Sequence, residues 1–306
     1  METKASELTS ALSGLTSRVD RWTRNTAHLE SAIPGLDLYR VETRKKPTRY
    51  MREPAVCLIA QGSKRVILGS EVYVYDESHY LLASMNVPVI AQILEASPER
   101  PYLSLTLKLD LRVISELIVS GDLPPSRTAV GKSLLVCRHS LPLVQALLRL
   151  IDLQDEPESI PILAPLIQKE IFYRLLTGEM GPHLRLAASS GTPSAQIGLA
   201  IEWFKKNYAQ PLRVDDLAAY SRMSATAFHA HFRKLTAMSP LQYQKWLRLQ
   251  EARRLMLAER MDVAQAAYQV GYASPSQFSR EYRRLFEISP SQDAKILRQA
   301  PVSYPA

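Results

Sequence analysis

Thr226, His229 and Arg233 are matched 50 residues downstream by Ser276, Ser279 and Arg283, with Gln277 and Arg280 added where the first copy has Ala227 and Ala230. Both sets combine short hydroxyls with imidazole, amide or guanidinium groups, and neither holds a carboxylate. Such groups match phosphate oxygens and the acceptor-rich base edges of a DNA major groove. The chemistry they suggest is recognition. No nucleophile–base arrangement, phosphate-binding glycine loop or clustered set of His, Cys and carboxylate ligands accompanies them. No catalytic residue, metal or cofactor is therefore expected, and the chain is not read as an enzyme.

The elements that must position these side chains are themselves repeated. Ser224, Phe228, Phe232, Leu235, Ser239 and Pro240 are matched by Ser274, Phe278, Tyr282, Leu285, Ser289 and Pro290. Each serine suits a helix N-cap, and the aromatic and leucine positions at i, i+4 and i+7 form one buried stripe. The polar groups then lie on the opposite face. A short apolar segment precedes each helix, Val214 to Ala218 in the first copy and Val263 to Ala267 in the second. Gly271 stands where the turn between two such helices needs positive φ. The first copy is one residue shorter and has Ser221 near that point, so a slightly different turn is expected there. Two helix-turn-helix units joined by a helix over about 241–259 is the reading.

At these residues the segment from Gln196 to Arg298 resembles the DNA-binding domain of AraC/XylS-type transcriptional regulators, in which two helix-turn-helix units flank a long linker helix. The run from Pro240 through Tyr243, Trp246 and Arg248 to Leu255 resembles that linker helix. The run from Val270-Gly271-Tyr272 to Ser289-Pro290 is close to the family signature. Ala230 departs from the pattern, since many members carry a basic or long polar residue there. His229 and Thr226 would then carry more of the readout. The resemblance implies double-stranded DNA as partner, RNA polymerase as a further candidate, and a homodimer.

Charge follows the same division. Residues 196–306 hold 16 Lys and Arg against 9 Asp and Glu, so +7 of the chain's net +8 lies there. A basic module beside a near-neutral one is an electrostatic footprint of nucleic-acid binding. Arg222, Lys245, Arg248, Arg253 and Arg254 are the candidate phosphate contacts. Two cysteines, Cys57 and Cys137, give neither a disulfide framework nor a zinc signature. With no apolar leader and no run of membrane-span length, a cytoplasmic setting is expected, without membrane contact.

Residues 35–112 read as short strands cut by Gly and Pro turns, the pattern of a barrel or sandwich. Within them the run 102–109 alternates, predicting one buried and one polar face. Pro34-Gly35-Leu36, the run from Pro54 to Ala60, Gln61-Gly62-Ser63-Lys64, Leu68-Gly69 and Ala96-Ser97-Pro98 resemble the cupin-like N-terminal domain of one AraC subgroup. The expected fold is thus α+β and multidomain, an N-terminal cupin-like β-barrel with flanking helices and a C-terminal all-α domain with two helix-turn-helix units. The expected boundaries are a sensing and dimerisation domain over 1–177, a linker over 178–195 and the DNA-binding domain over 196–306. Leu143, Ala146, Leu147 and Leu150 line a helix face that could pack on the barrel or form a dimer.

A barrel with one histidine over 35–112 suits a receptacle for a small-molecule effector better than a metal enzyme. Gln61, Tyr73, Tyr75 and Tyr80 are the candidate ligand contacts. The reading is a sequence-specific transcription regulator controlled by that effector. Two alternatives stay open: a redox- or electrophile-responsive regulator acting through Cys57, and a DNA-binding protein indifferent to any ligand.

Overall fold

The computed structural model describes residues 2–44, 46–121, 123, 131–179, 181–189 and 191–299. One compact unit ends at Ala195 and a second begins at Gln196.

In the first unit α1 (Glu2–Thr23) precedes β1 (His28–Glu30), β2 (Leu36–Val41), β3 (Thr48–Arg52), β4 (Ala55–Gln61), β5 (Ser63–Leu68), β6 (Glu71–Asp76), β7 (His79–Ala83), β8 (Val87–Glu95) and β9 (Tyr102–Lys108). Then come α2 (Leu111–Ser120), β10 (Leu134–Arg138), α3 (Leu141–Asp152), α4 (Ile160–Thr177) and α5 (Gly181–Ala188). The strands form two antiparallel sheets, ordered β1-β2-β9-β4-β7-β10 and β3-β8-β5-β6.

Because strand side chains alternate, each central strand of the larger sheet has two faces to cover. Leu36, Leu38, Val56, Leu58, Leu103, Leu105 and Leu107 share one core with Leu15 and Val19 of α1 and with Leu143, Ala146, Leu147 and Leu150 of α3. Full burial of such side chains stabilises by about 1.5–3 kcal/mol each. The α3 face proposed for dimerisation is therefore occupied within the subunit. Tyr102, Ser104 and Thr106, on the opposite face of β9, are also buried. The alternation in 102–109 thus marks two buried faces, one apolar and one polar, because the smaller sheet covers the second.

The stretch expected as a linker holds α5, whose Leu184 joins the same core; residues 180 and 190 of it lie outside the described residues. A run of Gly, Pro and Ser did not prevent a helix where Leu184 and Leu186 had apolar surface to cover.

The second unit holds α6 (Pro193–Asn207) from Gln196 onward, α7 (Val214–Tyr220), α8 (Ala225–Thr236), α9 (Pro240–Ala258), α10 (Val263–Gln269), α11 (Pro275–Phe286) and α12 (Pro290–Gln299); residues 300–306 of the expected domain lie outside the described residues. Phe232 of α8 meets Phe204, Tyr243 and its helix neighbour Phe228, with ring centroids 5.3–5.8 Å apart. Phe278 and Tyr282 of α11 meet Tyr272 and Phe286 at 4.4–5.5 Å. Edge and tilted aromatic packing of this kind fixes how each helix is rotated about its axis. Among the described residues no helix is long and apolar enough to cross a membrane.

Candidate functional site

The two helix-turn-helix units are built by the same local chemistry. Ser224 Oγ accepts from the backbone N–H of Ala227 at 3.3 Å, and Ser274 Oγ from that of Gln277 at 3.4 Å. Each helix closes on a residue in the left-handed region, Ala237 at φ 57° and Glu287 at φ 63°. Pro240 and Pro290 then open the next helices, where a missing N–H has no consequence.

The turns match as well, contrary to the expectation that they differ. Arg222 N–H donates to Ala219 and Met223 N–H to Ala218, as Gly271 donates to Tyr268 and Tyr272 to Ala267. These paired bonds satisfy the last carbonyls of α7 and α10. The positive φ falls on Arg222 (57°) and Gly271 (87°), not on Ser221. The one-residue difference lies after that point, at Ala273. Gly271 is also required by space: a Cβ there would lie 2.1 Å from the Ala209 carbonyl oxygen.

With the aromatic faces turned inward, Thr226, His229, Ala230 and Arg233 are exposed on α8, and Ser276, Gln277, Arg280 and Arg283 on α11. Ser279 is half-buried beside them. Gln277 donates through Nε2 to Glu281 at 3.2 Å. Among the described residues the guanidinium groups of Arg222, Arg233, Arg280 and Arg283 make no ion pair and no hydrogen bond.

The basic side chains of α9 are arranged differently. Arg248 donates to four backbone carbonyls, Tyr208 at 2.7 Å, Gly271 and Gln210 at 3.0 Å and Ala209 at 3.2 Å. Burial pulls its pKa down, yet a guanidinium keeps its proton. Arg253 clasps Asp293 through two bonds of 2.9 and 3.2 Å, and Tyr282 donates to the same carboxylate at 2.6 Å. Lys245 meets Glu281 at 2.9 Å, and Arg254 meets Glu251 and Glu259 at 2.8 and 3.0 Å. Burial works against the charge of Glu281, but bonds from Lys245, Tyr272 and Gln277 hold its carboxyl below the usual range. Of the five phosphate candidates, only Arg222 has an uncommitted charge. Arg248 and Arg253 are internal clamps. Sequence could not separate them, because an i, i+4 cation on a helix looks the same whether its partner is water, phosphate or a carbonyl from another segment.

In the N-terminal unit the four ligand candidates are not brought together. Tyr80 lies in the core shared with the helices, beside Cys137, not between the sheets. Gln61 donates its amide to the Pro101 carbonyl at 2.7 Å, and Tyr73 donates to Glu71 at the edge of β6. Tyr75 alone is buried between the sheets. Around it lie groups that the sequence reading did not select: Tyr50 and Arg52 of β3, Lys64 of β5 and Tyr102 of β9. Registers place Arg52 opposite Val87, Tyr50 opposite Val89 and Lys64 opposite Tyr75, so all point to the face of the smaller sheet that meets the larger. Arg52 and Lys64 both donate to Tyr50 Oη, Lys64 at 3.5 Å. Cys57, buried in β4, belongs to the same interior. The signal that could have found these groups is Gln61-Gly62-x-Lys64. Gly62, at φ 92° with its N–H bonded to Glu77, precedes a register irregularity between Ser63 and Lys64, and Lys64 is buried.

Two helix-turn-helix units with outward cations, in a chain that also carries a two-sheet N-terminal unit, define a DNA-binding transcription regulator. The family model of the AraC-type transcriptional regulator N-terminus matches residues 32–183, and that of a helix-turn-helix domain matches residues 217–295. The chain belongs to the AraC family of transcriptional regulators. It is 24% identical over 236 residues to the HTH-type transcriptional activator RhaS of Escherichia coli O1:K1 / APEC, covering 76% of this chain and 78% of the relative. It is 28% identical over 147 residues to the HTH-type transcriptional regulator CdhR of Pseudomonas aeruginosa, covering 46% of this chain and 44% of that one. Its fold resembles that of ToxT from Vibrio cholerae, with TM-score 0.60 and 15% identity over 89% of this chain and 99% of ToxT. ToxT has also been solved with an unsaturated fatty acid bound.

Proposed function

We propose that this regulator reads two major-groove segments with α8 and α11, and that a small molecule held between the N-terminal sheets sets how well it does so. The observation that carries the first part is the division among cations: those on the recognition faces are uncommitted, those on α9 are bonded within the domain. Thr226, His229 and Arg233 serve the first half-element, and Ser276, Gln277, Ser279, Arg280 and Arg283 the second. Arg222 serves a phosphate. The second part is supported by the buried polar interior and by the fatty acid bound to the ToxT fold.

Dimerisation is better served by α4 than by α3. Ile162, Leu166 and Tyr173 are exposed at i, i+4 and i+11 on one side of the helix, a stripe interrupted by exposed Lys169. A dimer through that stripe would present two DNA-binding domains to repeated half-sites in a cytoplasmic setting, with RNA polymerase as the further partner. No step of catalysis enters this reading.

The test is selection of bound fragments from genomic DNA at two salt concentrations, repeated with the conditioned medium components of the source cell as effectors. A bipartite motif with half-elements about one helical turn apart supports paired recognition helices. Binding without a motif, vanishing in salt, would replace the proposal with a non-specific tether. Motif binding that no small molecule alters would leave the ligand-indifferent alternative. A response abolished by Cys57→Ser alone would favour the thiol alternative.

A further inference from the structure

Arg52 and Lys64 are the two cations buried most deeply between the sheets, 6% and 2% exposed. Neither has an acidic partner among the described residues. Their one shared protein acceptor is the Tyr50 phenol oxygen, and the Tyr50 ring lies 4.9 Å from the Arg52 guanidinium carbon and 5.8 Å from Lys64 Nζ. Arg52 Nε is buried without any hydrogen-bond partner. The groups facing the pair are Tyr50 on β3 and Tyr75 on β6 of their own sheet, with Tyr39 on β2, Cys57 on β4 and Tyr102 on β9 of the other. All of these are neutral in their ordinary forms. Two positive charges thus share this interior with no carboxylate bonded to either among the described residues.

Buried charges are normally paired, and a buried donor left unbonded is destabilising. An anion placed between Arg52 and Lys64 would remove both faults. A guanidinium presents parallel N–H groups that fit the two oxygens of a carboxylate, and an ammonium adds a third donor from another direction. The walls beside them are apolar: Val87 and Val89 pair with Arg52 and Tyr50, and Val66 stands two residues from Lys64 on the same face. Apolar walls with a few convergent polar groups suit an organic acid better than a fully hydrated inorganic ion.

We infer that the N-terminal unit binds a small organic carboxylate, with its carboxylate held by Arg52 and Lys64 and its carbon skeleton against the valine-lined walls. This rests on the proposal of an effector between the sheets and names the class of effector and the residues that hold it. Burial pulls the Lys64 ammonium down to about 7, as an unmatched cation in such a place should be. Binding would therefore be strongest at pH values where Lys64 is protonated.

The test is calorimetric titration of the full-length protein, without DNA, using acetate, butyrate, octanoate and benzoate. Each acid is compared with its amide, and inorganic phosphate is included. At least one acid is expected to bind tenfold or more tightly than its amide. Lys64→Met is expected to lose that binding tenfold or more while raising the thermal transition of the ligand-free protein, because it removes an unmatched buried charge. Lys64→Arg, which keeps the charge, should retain binding and guards against a folding defect in the first variant. The inference is overturned if none of the acids binds, if amides bind as well as acids, if phosphate alone binds, or if Lys64→Met leaves binding intact. A carboxylate that binds but leaves operator affinity unchanged would instead sink the effector reading and leave the site standing.

Discussion

Basic residues wholly or partly withdrawn from solvent occur in both halves of this chain, under opposite conditions. In the DNA-binding domain Arg248 has four carbonyl acceptors and Arg253 a carboxylate with both oxygens engaged. In the N-terminal unit Arg52 and Lys64 share one phenol oxygen. A partly buried charge whose donors find acceptors is compensated, whereas a fully buried one short of acceptors weakens the ligand-free fold and favours whatever neutralises it. The first pair holds a rigid domain in one arrangement. The second pair is suited to a ligand.

The strongest way to break that contrast is to delete a member of the satisfied set. Arg253→Met leaves the Asp293 carboxylate, 7% exposed, buried beside Tyr282 without its cation. Loss of one partner from a buried pair costs about 3–5 kcal/mol. Denaturant unfolding of the DNA-binding domain should register it, with little change in base preference for the protein that remains folded. A variant as stable as the parent would mean that Arg253 is not a clamp. On the unsatisfied side the effect has the other sign and depends on pH. The folded pKa of Lys64, about 7, lies below its ordinary value of 10.5, so between those values the unfolded chain holds a proton that the folded chain lacks. Stability then rises with pH across that window, on the order of a few kcal/mol, and the penalty is fully present below pH 7. Thermal unfolding of the ligand-free protein from pH 6 to 10 should show the rise, and Lys64→Met should remove it.

The two halves also differ in how far their residues could be read in advance. The recognition helices were legible because one pattern occurred twice, and Phe228, Phe232, Phe278 and Tyr282 could only face a core. The left-handed turn residue in the first unit was misplaced by one position, since Arg222 offers no compositional hint of positive φ. The clamps were illegible: Arg248 finds its acceptors at 208–210 and 271, a meeting that depends on tertiary packing. In the N-terminal unit α1, β1 and β10, all outside the stretch 35–112 read as strands, were not anticipated, and β10 joins β7 across about fifty residues of chain. The sequence points there to Gln61 and three tyrosines as ligand contacts. Tyr80 turned out to face the helices, while Arg52 and Lys64, charged residues in apolar strands, carried the stronger signal.

The uncommitted cations of the recognition faces sharpen the comparison from a third side. Arg280→Ala should lose roughly 1–3 kcal/mol of operator affinity and relax preference at one base pair, measured by quantitative binding to single-position operator variants. Unchanged preference would remove Arg280 from the readout. Its stability effect should be small, because the side chain is exposed and bonds to nothing among the described residues.

The smallest expected effect discriminates most finely. Arg222 and Arg254 are both exposed, but Arg254 lies between Glu251 and Glu259 while Arg222 has no acidic neighbour within bonding distance among the described residues. Exposed pairs contribute about 0–1 kcal/mol, so Arg254→Ala should barely alter stability. A phosphate approaching Arg254 would have to displace two carboxylates and would gain little net attraction. The slope of log affinity against log salt should therefore fall by about one on Arg222→Ala and stay constant on Arg254→Ala. Equal slopes for the two variants would show that the carboxylates around Arg254 yield to DNA, and that pairing within the free domain does not decide which cations meet phosphate.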